Sequence, residues 1–342
     1  MVIITPHTPA VIGPLLEVSA RLGRTPHLVQ AATGNTSLKR DGTLWIKASG
    51  RWLADAIRDE IFFPLNLEKI LRRIDAGEDP SGQLENSEKP WRTSVETAMH
   101  AVLPHKVVIH VHSVNTIAWA VREDGPAELA RRMGDIPWQW VPYTRSGLPL
   151  ARAVQEAMAR TPDARVLVLA NHGLVVGGDD CEEAEGLLSE VERRTTLAVR
   201  PLQPPSRGLD RITGQSEWQL PEHSAFHALA TDAVAHRIVT GGILYPCQRL
   251  FLTARALSFS ESVDGKEIQS LKEPFVIIEN SGVLLRKGLS AGELAILNGL
   301  VETLRRIPES APIRYLTDAE IQDLFAPDAC TYTEVPRRTG TI

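Results

Sequence analysis

The sequence predicts an α/β protein, with helices layered around a sheet and a smaller α/β segment after about residue 215. Three observations carry this. β-Branched runs, at 106–114 and 165–169, alternate with segments whose apolar residues recur at helical spacing. A Pro- and Gly-bearing stretch, 201–214, holds Pro201, Pro204, Pro205, Gly208 and Gly214 among polar residues and marks a boundary. Beyond it, helical and strand patterns resume in shorter pieces. The expected division is therefore 1–205 and 215–342.

Taken in order, residues 10–31 read as a helix, with Val11, Leu15, Leu16, Val18 and Leu22 on one face. Thr33-Gly34-Asn35-Thr36-Ser37 is a turn. Asp41-Gly42 joins strands 38–40 and 44–48 as a hairpin, and Ser49-Gly50 ends the second. A short helix at 66–74 precedes a polar loop at 77–90. A helix at 93–103 stops at Pro104, a strand follows at 106–114, and a helix at 115–133. An aromatic, Pro-bearing connection at 137–149 leads to a helix at 151–160. Strands at 165–169 and 174–176 flank Asn171-His172-Gly173, and a long helix runs over 182–200. After the boundary come helix 222–239, strand 243–253, strands 275–279 and 282–286, and helices 290–306 and 317–325.

The formal net charge is −5 and the sequence pI about 6.1. Nucleic-acid binding is not expected, because the basic pairs sit beside acidic residues in helical segments. Cys181, Cys247 and Cys330 are scattered and form no CxxC, which argues against disulfides or a cysteine zinc site. No secretory signal pattern opens the chain. No apolar run approaches the roughly 20 residues that span a bilayer. A cytoplasmic location is the expectation, and no membrane partner.

His110-Val111-His112 is the first chemical signal. Residues two apart on a strand face the same way, so both imidazoles can reach one ion. His172 interrupts a second strand next to a glycine. Three histidines with an open fourth position fit a catalytic metal site, although a histidine pair alone is more often a packing or surface feature. His223 and His227, four apart on a helix, lack a third partner and read as packing or surface residues.

Glu96, in Thr93-Ser94-Val95-Glu96, has two readings. It completes a capping box with Thr93, or it shuttles a proton beside the metal. Gly34-Asn35-Thr36-Ser37, Ala48-Ser49-Gly50 and Thr93-Ser94 are turn or helix-start clusters of the kind that bind anions, with Lys47 as a nearby cation. Ordinary turn chemistry explains each of them alone. The chain has no GxxxxGK[ST] and no strand-placed GxGxxG, so nucleotide binding is disfavoured.

These blocks, in this order, resemble the class II aldolase/adducin head family over roughly residues 10–200. The stretch from Ser94-Val95-Glu96-Thr97 through His100 to Lys106 is closest to the aldolase half of bacterial rhamnulose-phosphate aldolase/dehydrogenase fusions. The resemblance implies a three-layer α/β/α sandwich, usually a homotetramer. It implies Zn²⁺, or another divalent first-row metal, on His110, His112 and His172, with Glu96 as proton shuttle. It also implies a substrate phosphate held by Asn35, Ser49, Gly50 and the Thr93-Ser94 turn; the residues themselves add Thr36 and Lys47 as candidates. The expected activity is aldol cleavage of a small phosphorylated or hydroxylated sugar through a metal-stabilised enediolate. Decarboxylation or epimerisation on the same site is the alternative, and a non-catalytic adducin-like role the third. Tyr143 is only a positional candidate for a second proton donor. Cys247 has no evident partner base, and 215–342 carries no assignable chemistry.

Overall fold

The computed structural model describes residues 10–83, 92–206, 209–213, 217–252 and 255–326. Cys330 lies outside the described residues. A 3-10 turn, Ala10–Ile12, leads into α1 (Gly13–Gly23). Then come β1 (Asn35–Arg40), β2 (Thr43–Lys47), β3 (Phe62–Asn66), α2 (Leu67–Asp75), β4 (Gly82–Gln83) and β5 (Arg92–Thr93). Next are α3 (Thr97–Val102), β6 (Val107–Val111), α4 (Val114–Ala120), α5 (Gly125–Met133), β7 (Trp138–Val141) and α6 (Leu148–Arg160). β8 (Val166–Leu169), β9 (Gly173–Gly178) and α7 (Cys181–Thr195) complete the first half.

The second half starts with α8 (Asp210–Thr213), β10 (Trp218–Gln219), a 3-10 turn (Ser224–His227) and α9 (Ala228–Thr231). It continues through α10 (Ala233–Gly241), α11 (Pro246–Phe251), β11 (Ser258–Phe259) and α12 (Gly265–Ile268). β12 (Phe275–Ile278), β13 (Gly282–Arg286), α13 (Ala291–Leu304) and α14 (Asp318–Asp323) follow.

Seven strands form one sheet in the order β3-β2-β1-β6-β9-β8-β7, antiparallel except for the parallel edge pair β7–β8. Its two faces are buried by different helices. Val107, Ile109, Val111, Val166, Val168 and Val176 pack on one side against α1, α4, α5 and α7. Val108, Leu167, Leu169 and Val175 pack on the other against α3 and α6, and Leu44 and Ile46 against α2 and α3. The result is the three-layer α/β/α sandwich. A four-stranded sheet, β10-β13-β12-β11, lies in the second half. One apolar cluster joins the halves: Ile117, Ala118 and Val121 pack with Phe226, Leu229, Val239, Tyr245 and Leu300.

The β1–β2 hairpin turns at Asp41 and Gly42, both at positive φ, as a two-residue turn requires. Several boundaries differ from the sequence reading. The first helix ends at Gly23, not 31. Pro26 disfavours helix just before it, and a Cβ at Gly23 would lie 2.1 Å from the Ala54 nitrogen. The helix expected at 115–133 breaks into α4 and α5 around Arg122 and Asp124. The break is locked where a Cβ at Gly125 would meet the Trp119 carbonyl oxygen at 2.3 Å. β3 and β7 were not foreseen. Both are edge strands, and an edge tolerates Pro64. α7 stops at Thr195, and 222–239 is broken where Asp232 caps α10 through Val234 N and Ala235 N. The strand expected at 243–253 is instead α11 at its centre: Pro246 occupies its first turn, a position that suits proline and not a central strand. α13 and α14 start where expected, each on a full capping box, Ser290–Glu293 and Thr317–Glu320. β12 and β13 also match the reading.

Candidate metal centre

β6 and β9 are hydrogen-bonded neighbours, with Val111 opposite Leu174. His110 is the penultimate residue of β6, His112 follows its end, and His172 precedes β9. Two histidines from one strand end and a third from a distant segment thus meet at one sheet end. All three are buried, and one ligand nitrogen from each lies within 4.8 Å of the others. Their rings stand edge to face, with centroids 5.0–5.2 Å apart. The approach needs a bare backbone at Gly173, where a Cβ would sit 2.6 Å from the Val111 carbonyl oxygen and 3.3 Å from the rings of His110 and His112. Gly34 does the same on the other flank, at φ 64° and close to the His110 carbonyl.

Asn35 pairs directly with His110 across β1–β6, so the two side chains share a face. Glu96, the residue before α3, completes the group. Its Oε1 lies 3.0 Å from His172 Nε2 and 3.3 Å from His110 Nε2. Its Oε2 accepts from Asn35 Nδ2 at 2.6 Å. Burial alone would raise this carboxyl, but His110 and His172 outweigh it and hold it well below the usual carboxylate range. Burial, with His110 and His172 alongside, pushes the His112 imidazole down and keeps it neutral.

The donor set fits a divalent metal. His110 Nδ1 donates to the Leu174 carbonyl at 3.0 Å, which leaves a lone pair on Nε2 of the neutral ring. Among the described residues that lone pair is buried without a hydrogen bond, although Glu96 Oε1 is 3.3 Å away. Two acceptors face each other there, and only a shared proton or a cation relieves them. A tetrahedral zinc site with Zn–N bonds of about 2.1 Å separates its nitrogens by about 3.4 Å, inside the 4.8 Å within which these three lie.

Beside the histidines lies a cavity. Ala31–Asn35, Lys47, Ser49, Gly50, Ser94, Val95, Glu96, His112 and His172 line it, together with Pro246, Cys247, Phe251 and Ile296 from the second half. Of the residues expected at an anion pocket, Asn35, Lys47, Ser49, Gly50 and Ser94 are therefore brought together. Two are not. Thr36 points to the opposite face of β1, its hydroxyl 2.6 Å from Ser19 Oγ, as alternation along a strand demands. Thr93 belongs to β5, and its hydroxyl accepts from Gly82 N and donates toward the Pro80 and Gly82 carbonyls. Thr93 caps nothing, and the capping-box reading of Glu96 fails with it: Glu96 makes no side-chain cap bond.

Two assignments change in kind. The Asn35 amide is committed to Glu96, Ser94 Oγ and His100, so it orients the carboxylate. Lys47 is fully buried, and Nζ donates to the carbonyls of Ala32 and Arg51 at 2.7 and 2.8 Å. It staples the two loops of the cavity, and burial brings its ammonium down to about 7. Tyr143 does not line the cavity; its ring lies under Arg314. His227 accepts from Val283 N and His223 stacks on Phe226, both packing roles.

The sequence reading missed His100, Asn171 and the wall from the second half. His100 is buried, with Nδ1 2.7 Å from Ser37 Oγ and Nε2 against Asn35 Oδ1. Because Asn35 donates to Glu96, its oxygen accepts from His100, which fixes the proton on Nε2. Cys247 Sγ is 3.7 Å from His112 Nδ1. Burial, then the Glu96 charge, push its thiol up, so it is no nucleophile as it stands. No helix among the described residues is long and apolar enough to cross a membrane.

Comparison with known proteins places this geometry in context. A family profile described as "Class II Aldolase and Adducin N-terminal domain" matches residues 14–199. A Bacillus subtilis protein named "Uncharacterized oxidoreductase YuxG" is 30% identical over 165 residues, 44% of this chain and 24% of that protein. An Escherichia coli O6:H1 protein named "3-oxo-tetronate 4-phosphate decarboxylase" is 30% identical over 181 residues, 48% of this chain and 76% of that one. The chain thus spans about a quarter of the first relative and three quarters of the second. The solved N-terminal class II aldolase domain of a Thermoplasma acidophilum protein superposes at TM-score 0.46 and 24% identity, covering 56% of this chain and 94% of that domain.

Proposed function

The chain belongs to the class II aldolase and adducin family, and from that premise we propose that it is a divalent-metal-dependent carbon–carbon lyase acting on a small phosphorylated or hydroxylated sugar-like substrate. The observation that carries the reading is one carboxylate oxygen, Glu96 Oε1, held within 3.3 Å of two of three converging imidazoles. His110, His112 and His172 would hold the metal, Zn²⁺ or another first-row ion. Bound there, it would supply Lewis-acid stabilisation of the negative charge that develops on substrate oxygens as the bond breaks.

The remaining chemistry belongs to the chain's own residues. Cleavage removes a proton from the hydroxyl of the departing aldehyde and leaves an electron pair on the donor carbon. Glu96 is ionised and aimed at the histidines, so it is set to take up one proton and deliver it at Oε1. Asn35, held by His100, keeps Oε2 from rotating away. Ser49, Gly50 and Ser94 face the cavity and would orient the distal oxygens of the substrate, a phosphate included. Pro246, Cys247, Phe251 and Ile296 line the far side and would limit water there, giving α11 and α13 a part in closing the site.

Decarboxylation is the second reading. It is favoured by the Escherichia coli relative, whose aligned stretch covers most of its length. Loss of CO₂ leaves the same electron pair on carbon and needs the same single proton. The test is metal analysis of the purified protein, followed by a panel of phosphorylated ketoses and 3-oxo acids read out as aldehyde, CO₂ or epimer. One equivalent of divalent metal per chain, and loss of both metal and turnover in His110→Ala, are expected. A metal-free protein, or a fully active His110→Ala, refutes the proposal.

A further inference from the structure

Asn171 adopts the left-handed conformation at φ 51° and is completely buried. Its backbone N–H is used on the Ala120 carbonyl. Among the described residues its side-chain hydrogen bonds go to the second half. Nδ2 donates to the carbonyls of Leu244 and Arg314, each at 2.8 Å. Oδ1 accepts from Arg314 Nη1 at 2.8 Å. A conformational role alone would be met by glycine; three aligned bonds are more than the turn needs.

The partners are themselves anchored. Arg314 N donates to the Val121 carbonyl and Leu316 N to that of Ile243, and Arg122 bridges Ile313. Arg314 Nη2 is bonded to Glu320 at 2.5 Å. Leu244 N donates to Gln248 Oε1, inside the short helix that carries Pro246, Cys247 and Phe251 to the cavity. The residue next to Asn171 is His172.

We infer that Asn171 is a positioning residue: it ties the turn bearing His172 to the second half of the chain, so the affinity of the three-histidine site depends on residues 244 and 314. The inference rests on the metal reading above. Fixing an imidazole through its neighbours is the ordinary way a metal site is tuned, and loss of such a support typically weakens binding by about 10- to 100-fold.

The test uses the full chain and Zn²⁺ alone, titrated against a chromogenic chelator. Asn171→Gly keeps the left-handed backbone accessible and removes the tie. Ile278→Ala, buried on the face of the second sheet that packs only on second-half residues, serves as a destabilised control. The expected result is an affinity about tenfold or more weaker in Asn171→Gly and unchanged in Ile278→Ala. Equal affinity of Asn171→Gly and wild type overturns the inference, as does equal weakening in both variants. Should Asn171→Gly not fold, Arg314→Gln removes one of the three bonds, and several-fold weakening is expected; wild-type affinity there overturns it too. A wild-type chain that takes up no Zn²⁺ overturns the metal reading itself and this inference with it.

Discussion

His100 gives the sharpest quantitative expectation. It is completely buried, and burial, with the Lys39 and Lys47 cations adding like charge, brings its pKa down from 6.5 to about 3. In the unfolded chain it takes a proton below about pH 6.5; in the folded chain it stays neutral until about 3. Between those limits the unfolded state binds more protons, so stability falls as pH falls, and is fully present above 6.5. The shift of the unfolded equilibrium is about 0.2 kcal/mol at pH 7 and about 2 kcal/mol at pH 5, a slope approaching 1.4 kcal/mol per pH unit. Other groups contribute slopes of their own, so the measurement is a difference. Urea unfolding of wild type and His100→Gln, both metal-free, is followed at pH 7 and pH 5. The variant loses hydrogen-bond geometry and is less stable at pH 7, by about 1–3 kcal/mol. Its loss between pH 7 and 5 is smaller than the wild type's by about 2 kcal/mol. Parallel pH dependence of the two proteins refutes a neutral, buried His100, and with it the fixed tautomer that aligns Asn35.

Glu96→Gln keeps the hydrogen bond to Asn35 but cannot move a proton; retained metal with turnover down about 10²–10⁴-fold is expected, and retained turnover counts against the assigned role. Gly173→Ala places a methyl group 2.6 Å from the Val111 carbonyl oxygen; metal affinity drops and the melting temperature falls, as overpacked sites cost about 1–3 kcal/mol, whereas an unchanged chelator titration would show that the close approach is unimportant. Saturation with Zn²⁺ at about 100 times Kd stabilises the fold by about 2.7 kcal/mol, read as a rise in melting temperature that a chelator reverses and that is absent in His110→Ala.

The parts of the site set by local periodicity were legible in the sequence. Alternation along a strand put His110 and His112 on one side, and the Asp41-Gly42 turn fixed the neighbouring hairpin. The same alternation separates Asn35 from Thr36, and applying it within the turn would have removed Thr36 from the pocket. Glu96 was ambiguous because Thr-x-x-Glu is also a capping pattern; what decides is that Thr93 is drawn into β5 by pairing with Gly82. His100 has no local signal. Its role arises from the β1–β6 register, which sets Asn35 opposite His110, and from α3 packing above. The segment 243–253 misled because a short apolar run has no period of its own, and Pro246 was the cue that favoured a helix start.

The division of labour in the cavity limits what a relative's name conveys. The family match ends at residue 199 and contains the three histidines, Glu96 and the loops around Lys47 and Ser94. The opposite wall, Pro246, Cys247, Phe251 and Ile296, lies wholly outside it. Under the proposed function, charge stabilisation and proton transfer would fall to the first group. Shape and polarity around the non-reacting end of a substrate would be set by the second, and such contacts decide discrimination between substrates that share one reacting centre. Similarity over residues 14–199 therefore bears on the reacting centre. On that reading, substrate choice would lie with α11 and α13, and the segment entering α11 is bonded through Leu244 to the turn that presents His172.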